Sequence, residues 1–155
     1  MTLDLTFTLN GVERTCTIPP ERLLVDLLRD EFDVTGTKVG CAIGVCGACS
    51  VLVDGTLMTG CLLPAFFVQG KAVTTVEGLA PPGALTPLQD AFIAHGGFQC
   101  GVCTPGQLMA STALLAENPD PSRRQITEYM MGNLCRCTGY AGIIAAIEAA
   151  AAAGR

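Results

Sequence analysis

The chain has 155 residues, of which 50% are hydrophobic and only 15% charged, and its formal net charge is −5. That much apolar surface excludes a disordered chain, and an acidic balance without a basic cluster excludes a nucleic-acid binder. No run of about 20 apolar residues offers a membrane span, and no export signal is read at the N-terminus, so the expected location is the cytoplasm.

Leu3, Leu5, Phe7 and Leu9 alternate with polar residues, which is the period of a strand with one buried face. Asn10-Gly11 is the strongest short hairpin signal. Val12, Cys16 and Ile18 continue the inward face of a return strand, with Arg14 breaking the pattern and Pro19-Pro20 stopping it. Leu23, Leu24, Leu27 and Leu28 recur at helical spacing and predict an amphipathic helix over 21–31. A glycine-rich loop spans 36–47. A strand over 50–53, an Asp54-Gly55 turn, a return strand over 56–61 and a last strand over 72–76 follow.

Gly78, Pro81, Pro82 and Gly83 mark 77–85 as a linker. Beyond it the pattern is helical. Thr86-Pro87 opens a helix that Gly96-Gly97 ends after His95. Thr104-Pro105 repeats the start signal, and that helix runs to Glu117, before Asn118-Pro119. Ser122 with Gln125 forms a capping box for a third helix, ending near Gly132. A fourth begins at Gly139-Tyr140 and runs through an alanine-rich tail to Gly154. Four short helices with short connections suggest a small bundle.

Nine cysteines and a single histidine, His95, exclude a Rieske centre and an HExxH zinc site. Cys103 is followed by threonine rather than histidine, which excludes covalent c-type haem attachment. Cys41, Cys46 and Cys49 follow the spacing C-x4-C-x2-C, with Cys61 twelve residues further on. This is the plant-type [2Fe–2S] pattern. Gly40, Gly44 and Gly47 would give the loop positive φ angles and bring backbone N–H groups close to the sulfurs. The second group, Cys100, Cys103, Cys135 and Cys137, pairs a C-x2-C with a C-x-C. Each half precedes a predicted helix, so two helix N-termini would face one thiolate site. Spacing favours iron–sulfur here, while structural zinc or disulfides stay open.

Residues 36–41 (GTKVGC), 46–49 (CGAC), 99–106 (QCGVCTPG) and 133–140 (NLCRCTGY) resemble the small iron–sulfur subunit of the molybdenum hydroxylases, the xanthine oxidase and aldehyde oxidase family. The resemblance covers nearly the whole chain. It implies an α+β architecture. A β-grasp ferredoxin-type domain over 1–76 would hold the first [2Fe–2S] cluster through Cys41, Cys46, Cys49 and Cys61. After the 77–85 linker, a four-helix bundle over 86–155 would hold the second through Cys100, Cys103, Cys135 and Cys137. It further implies a large molybdopterin-binding partner whose pterin Gln99 and Cys137 approach, and a medium partner carrying FAD. The chain would relay electrons between them and carry no substrate-converting residue. The alternatives are a free-standing two-cluster ferredoxin serving another oxidase and a zinc- or disulfide-stapled interaction module. Mean hydropathy of +0.46 favours burial against partners over a free, highly charged carrier.

Other residues have plainer readings. Cys16 reads as a small buried hydrophobe, His95 as a helix cap, and Lys38 and Arg136 as charges flanking cluster ligands. Tyr140 reads as packing at a domain junction, Phe66-Phe67 as core or subunit contact, and Met130-Met131 as gap fillers in the core.

Overall fold

The computed structural model of the chain describes residues 1–154. β1 (Leu3–Leu9) and β2 (Val12–Ile18) form the expected hairpin, with Leu9 opposite Val12. Asn10 and Gly11 both take positive φ, 51° and 81°, as a two-residue I′ turn requires. Leu5, Phe7 and Leu9 are buried, and the Phe7 ring meets Phe32 edge to face at 5.6 Å. Arg14, opposite Phe7, sets its guanidinium 5.8 Å from the centre of the Phe32 ring. That cation–π contact accounts for the break in the alternation. Val12 is exposed rather than inward, because β2 is an edge strand with the core beneath its far end only: Cys16 is partly covered and Ile18 buried.

α1 (Leu24–Asp30) buries Leu24, Val25, Leu27 and Leu28. It starts later than its leucine period suggests, because Leu23 is extended and bridges to Pro64. β3 (Ser50–Val53) and β4 (Thr56–Thr59) make a second hairpin through Asp54 and Gly55, with φ of 48° and 81°. β4 stops two residues short of Cys61. A 3-10 turn, Ala65–Val68, packs Ala65 and Val68 inward and leaves Phe66 and Phe67 exposed, so neither phenylalanine is core. β5 (Ala72–Thr74) completes a five-stranded sheet in the order β2-β1-β5-β3-β4. β1 and β5 are parallel and every other pair is antiparallel. α1 and the sheet share one hydrophobic core.

The strand expected over 72–76 ends at Thr74, and the chain leaves the sheet through a 3-10 turn, Val76–Gly78, at the start of the expected linker. Glu77 pins that exit: its carboxylate accepts from the Gly36 N–H at 2.7 Å and from the Thr75 hydroxyl. α2 (Pro87–Ala94), α3 (Thr104–Glu117), α4 (Arg123–Tyr129) and α5 (Tyr140–Ala153) follow. Ser122 forms the capping box read from sequence, Thr86 is the expected N-cap and also closes a box with Gln89, and His95 is the C-cap of α2. Phe92, Ile126, Ile143, Ala146 and Ile147 centre a second core. Met130 joins it, whereas Met131 lies exposed.

The helices meet the strand unit along α3 and β3 at a joint with no spare room. A Cβ at Gly106 would lie 2.1 Å from the Gly47 carbonyl oxygen, a separation that only glycine avoids. Among the described residues no helix is long and apolar enough to cross a membrane.

Candidate metal centres

The loop between α1 and β3 is held from both sides. Arg29 donates to the carbonyls of Thr35 and Thr37, each at 2.9 Å, and Glu77 receives Gly36. The Lys38 ammonium turns back to the Thr35 carbonyl at 2.7 Å, so it serves the loop rather than a sulfur. Between these anchors the backbone coils around Cys41, whose sulfur accepts from the N–H groups of Ile43, Val45 and Cys46 at 3.3–3.4 Å. Those donors, Ile43 foremost, lower the Cys41 thiol to about 6, since N–H groups aimed at sulfur favour the thiolate. Gly44 and Gly47 have the expected positive φ, as does Ala42. Gly40 does not. Its lack of a side chain serves close approach instead, because a Cβ there would lie 2.9 Å from the Cys46 sulfur.

Cys41 and Cys46 are in side-chain contact. The other two cysteines of the group, Cys49 and Cys61, also touch, with the Cys61 N–H donating to the Cys49 sulfur at 3.4 Å. This second pair is buried against Val25 and Leu23, and burial pushes Cys49 up to about 12. The pair is carried by the second hairpin, which is tied to α1 through Gly60: its N–H reaches Cys49 and its carbonyl accepts from Val25.

The same pairing recurs in the second group. Cys100 contacts Cys137, and Cys103 contacts Cys135. Cys103 is the N-cap of α3, and the Gly139 N–H at the start of α5 donates to the Cys135 sulfur at 3.4 Å. Two helix starts therefore do adjoin these thiols. Thr138, with φ of 60°, turns the chain between them. Burial pushes Cys103 up to about 12. Cys100 is exposed and Cys137 half-buried, with Gln99 exposed beside them. A Cβ at Gly139 would lie 3.8 Å from the Gln99 amide nitrogen. Arg136 is exposed, and Cys16 lies apart from both groups, at the edge of the sheet core.

A cleft of about 390 Å³ separates the two groups and is lined by Cys41, Cys46, Cys100, Cys103 and Cys135, among others. One backbone hydrogen bond crosses between them: the Leu134 N–H donates to the Cys46 carbonyl at 2.9 Å. Leu134 directly precedes Cys135.

The donor chemistry discriminates between metals. A mononuclear zinc site would draw four thiolates onto one ion. The thiols come in contacting twos, two twos per group. A binuclear cluster takes two thiolates on each iron, and backbone N–H groups already aimed at sulfur suit its negative charge.

The comparisons with known proteins agree with this chemistry. The 2Fe-2S iron-sulfur cluster binding domain family matches residues 7–77, and the [2Fe-2S] binding domain family matches residues 75–148. A probable xanthine dehydrogenase subunit of Bacillus subtilis is 51% identical over 88% of this chain and 79% of its own length. The chain belongs to the iron–sulfur subunits of the molybdenum hydroxylases. The nicotine 6-hydroxylase small subunit of Paenarthrobacter nicotinovorans is 47% identical over 89% of this chain and 83% of its own length. The structure of quinoline 2-oxidoreductase from Pseudomonas putida 86 superposes with a TM-score of 0.95 at 47% identity, covering 99% of this chain and 96% of that one. As a member of this family the chain is an electron-transfer subunit of an oxidoreductase with two [2Fe–2S] centres, rather than a zinc-stapled module.

Two residues at the centres of this iron–sulfur subunit escape a reading of its sequence. Tyr140, read as packing, accepts the Cys135 N–H on its phenolic oxygen at 2.8 Å. Asn133 is buried and joins the two groups. Both flank the C-x-C pair, but no spacing rule announces a side chain that bonds backbone through a local turn, as Tyr140 does, or across the fold, as Asn133 does.

Proposed function

We propose that Cys41, Cys46, Cys49 and Cys61 hold one [2Fe–2S] cluster, with Cys41 and Cys46 on one iron and Cys49 and Cys61 on the other. Cys100 with Cys137, and Cys103 with Cys135, hold the second in the same way. The observation that carries this reading is the arrangement of eight thiols as four contacting pairs in two groups. When bound, such a cluster stores and releases one electron. The chain's own residues set the conditions. N–H donors at Cys41, Cys49 and Cys135 favour the anionic form, and burial of Cys49, Cys61 and Cys135 excludes water from one side of each group.

The finer architecture belongs to the same proposal: a β-grasp ferredoxin-type domain over 1–76, a connector over 77–85 and a four-helix bundle over 86–155. Two separate hydrophobic cores support it. The partners are a large molybdopterin-binding subunit and an FAD-binding medium subunit. Gln99 and Cys137 approach the pterin, a role supported by their place on the outer side of the second thiol group. Relatives of similar identity bear names that specify xanthine, nicotine and quinoline, which supports placing substrate choice on another subunit.

Metal analysis of the natively isolated assembly tests the proposal. About four iron per copy of this chain with about one molybdenum is the expected result. Iron without molybdenum would favour a free-standing ferredoxin, and zinc in place of iron would overturn the ligand assignment.

A further inference from the structure

Asn133 touches all three segments that carry the central thiols. Its side-chain amide donates to the Gly47 carbonyl at 3.3 Å, in the loop between Cys46 and Cys49. The main-chain carbonyl of the same residue accepts from the Gln107 side-chain amide at 3.0 Å, in the first turn of α3 after Cys103. It stands two residues before Cys135, and the next N–H, of Leu134, is the one that reaches the Cys46 carbonyl. Asn133 and Gln107 are buried, at 6% and 1% exposure. A buried amide bonded across two segments holds its geometry firmly, since breaking the bond leaves an unpaired polar group. The packing around Asn133 leaves no slack. A Cβ at Gly47 would strike Asn133 at 2.5 Å, and one at Gly106 would strike the Gly47 carbonyl at 2.1 Å.

We infer that Asn133 is a positioning residue that fixes the separation of the two clusters, its side chain locking the Cys46–Cys49 loop to the Cys135–Cys137 turn beside the close contact at Gly106. The inference rests on the ligand assignment proposed above. The Asn133 amide donates to the Gly47 carbonyl rather than to a sulfur, so its removal should leave each cluster in place and change only how far apart they lie. Gly106 makes the same joint sterically. Alanine there is the better helix former, so a Gly106→Ala change acts through the Gly47 carbonyl it displaces.

The test is electron paramagnetic resonance of the dithionite-reduced full-length chain in its native assembly, at temperatures where the two cluster spins split each other's lines. The magnetic coupling between two spins falls steeply with distance. In Asn133→Leu and in Gly106→Ala we expect about four irons per chain and each cluster's own g-values unchanged, with the mutual splitting narrowed or lost. Unchanged splitting in both variants would overturn the inference. So would loss of iron from both, which would make the joint a requirement for assembly rather than for spacing. A native protein lacking two distinct cluster signals would instead refute the ligand assignment itself.

Discussion

At Gly44 and Gly47 the backbone is left-handed, and a Cβ would lie 2.3 Å from the Leu62 methyl and 2.5 Å from the Asn133 amide, respectively. The two differ in what can yield. The Leu62 methyl is the far end of an exposed side chain, so Gly44→Ala carries mainly the cost of the backbone conformation. Asn133 is fixed on two sides, and the Gly132 carbonyl stands behind it. Gly47→Ala should cost more than the roughly 1–3 kcal/mol typical of a strained backbone alone, seen as a lower thermal midpoint than Gly44→Ala. Tyr140→Phe removes the acceptor of the Cys135 N–H and should destabilise by about 1–3 kcal/mol, measured by denaturant unfolding. The thiols themselves titrate unequally. In the metal-free chain, N–H donors hold the Cys41 thiolate, so its contribution to stability is fully present above the ordinary value of 9 and is lost as pH falls through about 6. Iodoacetamide labelling of that form should therefore rise at Cys41 through about pH 6 and level off. Cys49 and Cys103, pushed up to about 12, should stay unlabelled at neutral pH by mass spectrometry.

The strand unit and the helices each close their own core, and each core supports one group of thiols. Cys46 lies in the loop entering β3, and Cys103 caps α3. Cys46→Ser should therefore abolish one of the two reduced-cluster resonance signals and Cys103→Ser the other. Loss of both from a single change would contradict separate supports. The capping boxes belong to the same level. Thr86 and Ser122 each accept the third backbone N–H of their helices, and Thr86→Ala or Ser122→Ala should cost about 1 kcal/mol. Both caps were readable directly, Ser122 as a box and Thr86 as an N-cap before proline, because a cap is a local pattern of a few residues. The N-cap of α3 was not, since it is Cys103 itself and makes no side-chain cap bond.

Across the whole molecule, apolar side chains crowd the rims of both thiol groups. Ile43, Val45 and Leu62 are 67%, 57% and 58% exposed around the first, and Val102 and Leu134 are half exposed beside the second. Apolar side chains left exposed around both sites mark a surface meant to be covered. Expressed without partners, the chain should aggregate or lose iron, read by light scattering and iron assay. A monodisperse, fully loaded monomer would contradict this. Order along the chain was already enough for the strands, the hairpin turns, the four later helices and the two cysteine groups, because alternation, capping and ligand spacing are short-range properties that survive in a string of letters. Folding in three dimensions was needed for the rest. The partner of each cysteine, the exposure of Val12 and Met131, the use of Gly40 for close approach rather than for positive φ, and the joint through Asn133 all depend on how the folded backbone brings groups together. Packing and hydrogen bonding between such groups are set by the folded backbone and leave no periodic trace in the sequence.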